Sequence, residues 1–269
     1  MRIGFIGCGK MGEAMMAGLI DAGRAAARDL MASDADTERR AAVRRRLRVR
    51  VTADNREIAR WARVLFLAVK PQQMKEVLAE IRPAVGAGHL VVSIAAGIGV
   101  RSMETALPRA RVIRVMPNMA CQVAEAMSVY TAGRRASVAD RRRVGRLLRG
   151  FGEALELPER LFDAVTALSG SGPAFFAYAA DAMVEGAVAE GIGRADALRL
   201  AEQTLLGTAR LLKERRIDPR DLIAGVTSAK GTTAEGLAVL DRAGARDMFR
   251  RTIQAAARRS RELSALLSA

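Results

Sequence analysis

Gly7-Cys8-Gly9-Lys10-Met11-Gly12 sets three glycines at the spacing GxGxxG. In a dinucleotide fingerprint the first glycine makes the tight turn. The second lets the backbone approach a pyrophosphate, and the third lets helix and strand pack closely. The motif follows an apolar run, Arg2–Ile6, and precedes a helix expected over Met11–Ala22, the context the chemistry needs. Ser33-Asp34 lies about 22 residues past the last glycine. A carboxylate there accepts from a ribose 2′-OH and repels a 2′-phosphate. Arg39 and Arg40 are close enough in sequence to serve a 2′-phosphate instead, or to face solvent on a helix.

Other small or charged residues fall where strands should end, beside the ligand crevice of an open α/β sheet. Ala68-Val69-Lys70-Pro71 closes one strand, with Lys70 a candidate for cofactor or anionic substrate. Ala95-Ala96-Gly97 closes the next, small enough for a nicotinamide ribose to pass. Met116-Pro117-Asn118 closes another. Ser169-Gly170-Ser171-Gly172-Pro173 reads as a small-residue loop at a helix N-terminus, a cradle for a polar or anionic ligand. Cys8 reads as a loop filler with no base beside it. His89, the one histidine, has no catalytic partner by spacing. That argues against a Ser-His-Asp site or a histidine-based zinc site.

The elements that must position these residues follow from periodicity. Further strands are expected at Leu30–Ser33, Arg48–Val51, Val64–Val69, Leu90–Ile94, Val112–Met116, Met127–Thr131 and Ala154–Leu157. Helices are expected at Thr37–Leu47, at Asn55–Arg60 behind an Asp54/Glu57 capping box, and from Pro71 to Ile81. This alternation predicts a doubly wound Rossmann-type domain over 1–161. Beyond Pro158 no strand is expected. Helices at Pro173–Glu190, Ala195–Glu214, from Asp218-Pro219, Thr233–Asp241 and Ala245–Leu267 predict an all-helical domain over 162–269. Ala174–Ala189 is too apolar for a simple surface helix and predicts contact with a partner subunit.

Composition narrows the classes. Half the 269 residues are hydrophobic, so the chain is globular rather than disordered. Apolar runs such as Leu90–Val100 fall short of the roughly 20 residues a membrane span needs. The first strand begins at Arg2, which predicts a cytoplasmic chain without a signal peptide. Cys8 and Cys121 have no metal or disulfide spacing. The net charge of +15 raises nucleic acid as a partner. The arginines are dispersed, however, over Arg39–Arg50, Arg134–Arg149, Arg210–Arg220 and Arg242–Arg259. Aromatics are only 4% and no nucleic-acid motif accompanies them. A solvated basic surface with no specific nucleic acid is expected.

Together these residues resemble pyrroline-5-carboxylate reductases. The likeness runs through Gly4–Gly9, Ala68–Gln72, Ser93–Gly97, Arg114–Asn118, Asp163–Ala174, Val226-Thr227-Ser228 and Gly231-Thr232-Thr233. The resemblance implies a Rossmann domain followed by a helical dimerisation domain, with the active site shared between subunits of a homodimer that often assembles to a decamer. It implies NADPH or NADH as cofactor, with a lean to NADPH. It places Ile6, Gly7, Cys8, Gly9, Lys10, Met11, Asp34, Asp36, Asn55 and Ala68–Pro71 at the cofactor. The substrate carboxylate is expected on backbone N–H groups of Gly231, Thr232 and Thr233 beside Ser228, with the Thr233 hydroxyl at the ring nitrogen. The chain departs from the family at Ala229-Lys230, where Pro-Gly is usual, and at Met119-Ala120, where Thr-Pro is usual.

The implied reaction is hydride transfer to the C=N carbon of Δ1-pyrroline-5-carboxylate. A protonated imine is already electrophilic, so positioning and water exclusion are the main demands, and no strong general acid is expected. Two rivals stand: a related reductase of another cyclic imine or hydroxy acid, and a nucleotide-binding module without catalysis. Lys213 and Lys230 are the only lysines in the helical half, and neither has the helix pattern of a hydroxy-acid dehydrogenase.

Overall fold

Eight short segments form strands, most of them apolar: β1 Ile3–Ile6, β2 Leu30–Ser33, β3 Arg50–Thr52, β4 Val64–Leu67, β5 Leu90–Ser93, β6 Arg111–Met116, β7 Ala126–Ala132 and β8 Gly152–Glu156. They make one sheet in the order β3-β2-β1-β4-β5-β6-β7-β8. β7 is antiparallel to β6 and parallel to β8; the other pairs are parallel. Between the strands run α1 Lys10–Asp21, α2 Thr37–Leu47, α3 Asn55–Trp61, α4 Met74–Ile81, α5 Val100–Ala106 and α6 Val138–Leu148. The computed structural model describes residues 1–268.

Alternate side chains along each strand go to opposite faces. Ile3, Phe5, Val64, Phe66, Leu90 and Val92 meet Met15, Met16 and Leu19 of α1, Val43 of α2 and Leu147 and Leu148 of α6. Ile6, Leu65, Leu67, Val91 and Val112 meet Ile58 of α3, Met74 and Leu78 of α4 and Met103 of α5. Burial on both sides explains why these strands read as unbroken apolar runs. Phe5 and Phe66 stack at 4.7 Å on one face.

Caps and buried polar contacts set the boundaries. Asp36 accepts from Glu38 and Arg39 N–H and starts α2, and Asp54 accepts from Arg56 N–H and starts α3. The Asp54/Glu57 box expected from sequence does not form, because Glu57 accepts from Thr52 Oγ1 at 2.6 Å instead. The helix expected from Pro71 opens as a 3₁₀ turn, Pro71–Gln73, before α4. Ser137 and Asp140 form a capping box at α6. Asp140 also takes Arg111 Nη1 at 2.6 Å. Burial works to raise the Asp140 pKa, but the Ser137 donors and Arg111 outweigh it and hold the carboxyl below its usual value. His89 ties the turn before β5 to α3: Gly86 N–H donates to Nδ1 at 2.9 Å, and Nε2 lies 2.9 Å from the Ala59 carbonyl.

After β8 come α7 Phe162–Val165 and a π-helical stretch Thr166–Gly170. Phe162 and Val165 are buried with Val129. Arg114 on β6 donates to Glu159 at 3.0 Å and stacks on Phe162, and Val100 N–H donates to Glu159 at 2.8 Å. These contacts hold 159–171 in the first compact unit, which comprises Met1–Ser171 and the chain from Ala255 onward. Compactness therefore divides the chain later than the 161/162 boundary expected from sequence, which follows the last strand candidate, Ala154–Leu157. The returning helix keeps its place partly through Ser260 Oγ, which donates to Asp163 at 2.7 Å.

The second unit, Gly172–Gln254, contains α8 Gly172–Ala189, α9 Arg194–Arg215, α10 Pro219–Val226, α11 Thr232–Arg242 and the start of α12 Ala245–Ser268. Few of its side chains are buried. Phe176, Tyr178 and Met183 on α8 are more than 60% exposed, too much apolar surface for a finished core. Between α10 and α11, Gly231 N–H donates to the Ser228 carbonyl at 3.0 Å, closing a turn in which Lys230 has φ 59°. That conformation favours glycine and suits the third position of a type II turn, where Pro-Gly fills the centre. Among the described residues, no helix is long and apolar enough to cross a membrane.

Two stability outcomes follow from these contacts. Asp140→Asn is expected to cost about 2–3 kcal/mol at neutral pH in urea titrations, since it weakens the cap and strips Arg111 of its charge partner. A carboxyl with a depressed folded-state pKa stabilises above its unfolded value and loses that contribution as pH falls through the folded value. The gap between wild type and variant is thus expected to narrow below about pH 4. Lys230→Gly is expected to relieve a left-handed side-chain penalty of about 1 kcal/mol and raise Tm by about 2–4 °C in a thermal scan.

Candidate active site

The first half of the site grows from the end of β1. Gly7 has φ 91°, and a Cβ there would lie 2.6 Å from the Ala68 carbonyl oxygen. The chain can turn here only with glycine. A Cβ on Gly12 would lie 2.5 Å from the Gly7 oxygen, so α1 can start this close to the turn only without one. Gly9 is the N-cap of α1 and supplies no side-chain cap. The first helical bond is Glu13 N–H to the Gly9 carbonyl at 2.9 Å, which leaves the preceding amides outside the ladder. Nothing lies within 4 Å of a Cβ built on Gly9. An open backbone face with free donors at a helix N-terminus suits a pyrophosphate.

Neighbouring residues frame that face. Asp34 Oδ2 accepts from Cys8 N–H at 3.0 Å and its Oδ1 from Asp36 N–H at 3.1 Å. The Cys8 thiol is buried, and burial together with the Asp34 charge pushes its pKa up to about 12. It is a protonated packing group. Cys121 Sγ lies 3.3 Å from Met11 Sδ, a contact without a sequence signal. Asn55 accepts from Ser33 Oγ and donates to Glu80, both at 2.7 Å, so its amide braces the end of β2. Ile6 is buried under the turn, and Lys10 is exposed at the first position of α1. Ala68, Val69, Lys70 and Pro71 follow β4, with Lys70 exposed.

Ala95, Ala96 and Gly97 follow β5, and Gly97 has φ 78°. The end of α12 packs here: a Cβ on Gly97 would lie 2.7 Å from Leu267 Cδ1. This long-range neighbour was not visible in the sequence. After β6, Asn118 accepts from Met127 N–H at 3.2 Å and reaches Ser169 Oγ at 3.5 Å. The cradle expected at Ser169–Pro173 is not a loop. Thr166–Gly170 is π-helical and Ser171 N–H donates to the Thr166 carbonyl at 2.8 Å, so the backbone runs on in helical form to α8. The Ser171 amide is thereby occupied, and Ser169 belongs to the packing beside Asn118.

The second half-site lies in the helical unit. Gly231 is the N-cap of α11 and has no side-chain cap. Glu235 N–H to the Gly231 carbonyl at 3.2 Å is the first helical bond, so the amides of Thr232, Thr233 and Ala234 precede the ladder. Ser228 shapes the approach: a Cβ on Gly231 would lie 2.2 Å from Ser228 Oγ. Thr233 is half-buried and Thr232 exposed. Three amides and a hydroxyl at one helix start suit a small carboxylate.

A family model described as pyrroline-5-carboxylate reductase dimerisation matches residues 159–263. One described as NADP oxidoreductase coenzyme F420-dependent matches residues 2–97. The chain is 43% identical to pyrroline-5-carboxylate reductase of Methanosarcina acetivorans, over 97% of each chain. A solved pyrroline-5-carboxylate reductase from Coxiella burnetii superposes with a TM-score of 0.92 at 31% identity, covering 97% of this chain and 98% of that one. The pyrroline carboxylate reductase of Plasmodium falciparum, solved with NADP bound, superposes with a TM-score of 0.88 at 25% identity over 98% of each. Such likeness over nearly the whole length, in both sequence and fold, leaves one assignment: this chain belongs to the pyrroline-5-carboxylate reductase family.

Proposed function

We infer that this chain reduces Δ1-pyrroline-5-carboxylate to L-proline in proline biosynthesis, with NADH or NADPH as the reductant. The observation that carries the reading is the 43% identity to a pyrroline-5-carboxylate reductase over 97% of both chains. The residues present fit a dinucleotide, since the uncapped start of α1 is open at Gly9 and bordered by Asp34. When bound, the nicotinamide supplies the hydride for the imine carbon.

The chain's own part is to bind and orient. The amides of Gly9, Lys10 and Met11 hold the pyrophosphate over the turn that Gly7 and Cys8 shape, whose own amides go to the Ser33 carbonyl and Asp34. Asp34 takes the ribose, and Ala68–Pro71 and Ala95–Gly97 line the path to the nicotinamide. The amides of Thr232 and Thr233 at the start of α11 hold the substrate carboxylate beside Ser228; the Gly231 N–H expected there closes the turn on the Ser228 carbonyl instead. The Thr233 hydroxyl accepts from the protonated ring nitrogen and fixes the imine carbon. No strong general acid is required, because the iminium reaches the site already protonated. His89 is engaged by Gly86 and Ala59 and takes no part.

The site is completed by a second subunit, with the helical domain, read as 162–269, contributing α11 to the Rossmann domain, read as 1–161, of its partner. Supporting this are the dimerisation match over 159–263 and the exposed apolar face of α8. No specific nucleic acid or membrane is involved, and the cytoplasm is the proposed compartment.

Purified protein is expected to oxidise NADH or NADPH in the presence of pyrroline-5-carboxylate and to form proline. Thr233→Ala is expected to lower kcat/KM for the imine tenfold or more, about 1.4 kcal/mol of transition-state binding; unchanged kinetics remove Thr233 from the site. Light scattering on the eluted protein is expected to give a dimer or larger assembly, and a 28.8 kDa particle with full activity rules out the shared site.

A further inference from the structure

We propose that Asp34 makes this chain prefer NADH over NADPH. The inference rests on the reductase reading for the class of cofactor and goes beyond it in naming the discriminating group.

Asp34 closes β2 beside the glycine turn. Cys8 N–H donates to its Oδ2 at 3.0 Å and Asp36 N–H to its Oδ1 at 3.1 Å. The carboxylate is thus fixed against the backbone that receives the pyrophosphate, the place from which an adenosine ribose is read. A carboxylate accepts about four hydrogen bonds. Each oxygen uses one within the chain, so acceptor capacity remains for ribose hydroxyls.

A 2′-phosphate needs the opposite chemistry, and its donors here are committed elsewhere. The second and third amides of α2, those of Glu38 and Arg39, both donate to Asp36 Oδ1, at 2.9 and 3.1 Å. That helix start is filled by the chain's own carboxylate. Arg40 Nη1 donates to the carbonyls of Asp34 at 2.7 Å and Ala35 at 2.9 Å, and its Nη2 to Thr37 Oγ1 at 3.0 Å. Its guanidinium staples the loop. Arg39 faces Glu13, 3.6 Å away, which also holds Arg46 at 3.1 Å. A 2′-phosphate adds close to two negative charges. Here it meets two carboxylates, and both arginines nearest in sequence are already engaged. A free ribose hydroxyl meets an acceptor.

Titration calorimetry on the full-length protein with NADH and with NADPH, at one ionic strength and without imine, reads the preference directly. NADH is expected to bind at least tenfold more tightly, a difference of about 1.4 kcal/mol. Asp34→Ser removes the charge; Asp34→Asn removes it while keeping an oxygen for the Cys8 amide. Both are expected to shrink the NADH-to-NADPH ratio tenfold or more, chiefly by tightening NADPH. Equal affinities or tighter NADPH in the wild type overturn the proposal, as does an unchanged ratio in a folded Asp34→Asn protein. Pyrroline-5-carboxylate turnover with each cofactor separates this from the reductase reading. Turnover that favours NADPH sinks the Asp34 role and leaves the activity. Tight, selective NADH binding without turnover does the reverse.

Discussion

The structure depends on backbone amides left free where two helices begin. Peptide N–H groups at a helix start need an acceptor, and four helices here obtain one from the side chain that precedes them: Asp36 for α2, Asp54 for α3, Ser137 for α6 and Asp218 for α10. α1 and α11 start at Gly9 and Gly231 without a side-chain cap. Each has a glycine where a Cβ would clash: Gly7 against the Ala68 backbone and Gly231 against the Ser228 hydroxyl. Under the proposed function these starts receive an acceptor from outside: a pyrophosphate at α1 and a carboxylate at α11.

Holding a turn open requires a stiff surround. Around α1 this is the two-faced core beneath Gly7 and the Asp34 carboxylate bonded to the Cys8 amide. Around α11 it is the Ser228–Gly231 turn, where Lys230 adopts the left-handed conformation usually left to glycine. A lysine in this position keeps the hydrogen bond that closes the turn and accepts local strain. Lys230 thus closes the turn before α11 and adds a cation beside it.

Much of the fold was legible because the physics behind it is local. Strands buried on both faces must be apolar throughout, and GxGxxG after such a strand admits few backbones. Sequence and structure part where local and long-range preferences compete. Ser169-Gly170-Ser171-Gly172 looks like a loop because glycine and serine weaken helices. Its neighbours hold it helical: Phe162 and Val165 are buried, Ser169 meets Asn118, and the extra residue is absorbed as a π-turn. The Asp54/Glu57 box failed for a similar reason, since Thr52 on β3 offers Glu57 a nearer partner. An uncapped glycine start is not decisive by itself either. α9 also begins after a glycine, Gly193, without the tight turn that marks α1 and α11.

By itself the sequence determined the Rossmann-type half, the all-helical half, the glycine turn that takes a dinucleotide, and the Gly231-Thr232-Thr233 helix start, because each depends on residues adjacent in the chain. Only the tertiary structure decided what the charged side chains do. Arg39 and Arg40 read as possible phosphate ligands, but Glu13 and the loop carbonyls take them. Arg114 and Glu159 extend the first unit to Ser171, past the last strand. Long, flexible cations can reach many partners, and which one wins depends on what folding brings within about 3 Å, a matter that spacing along the chain does not encode.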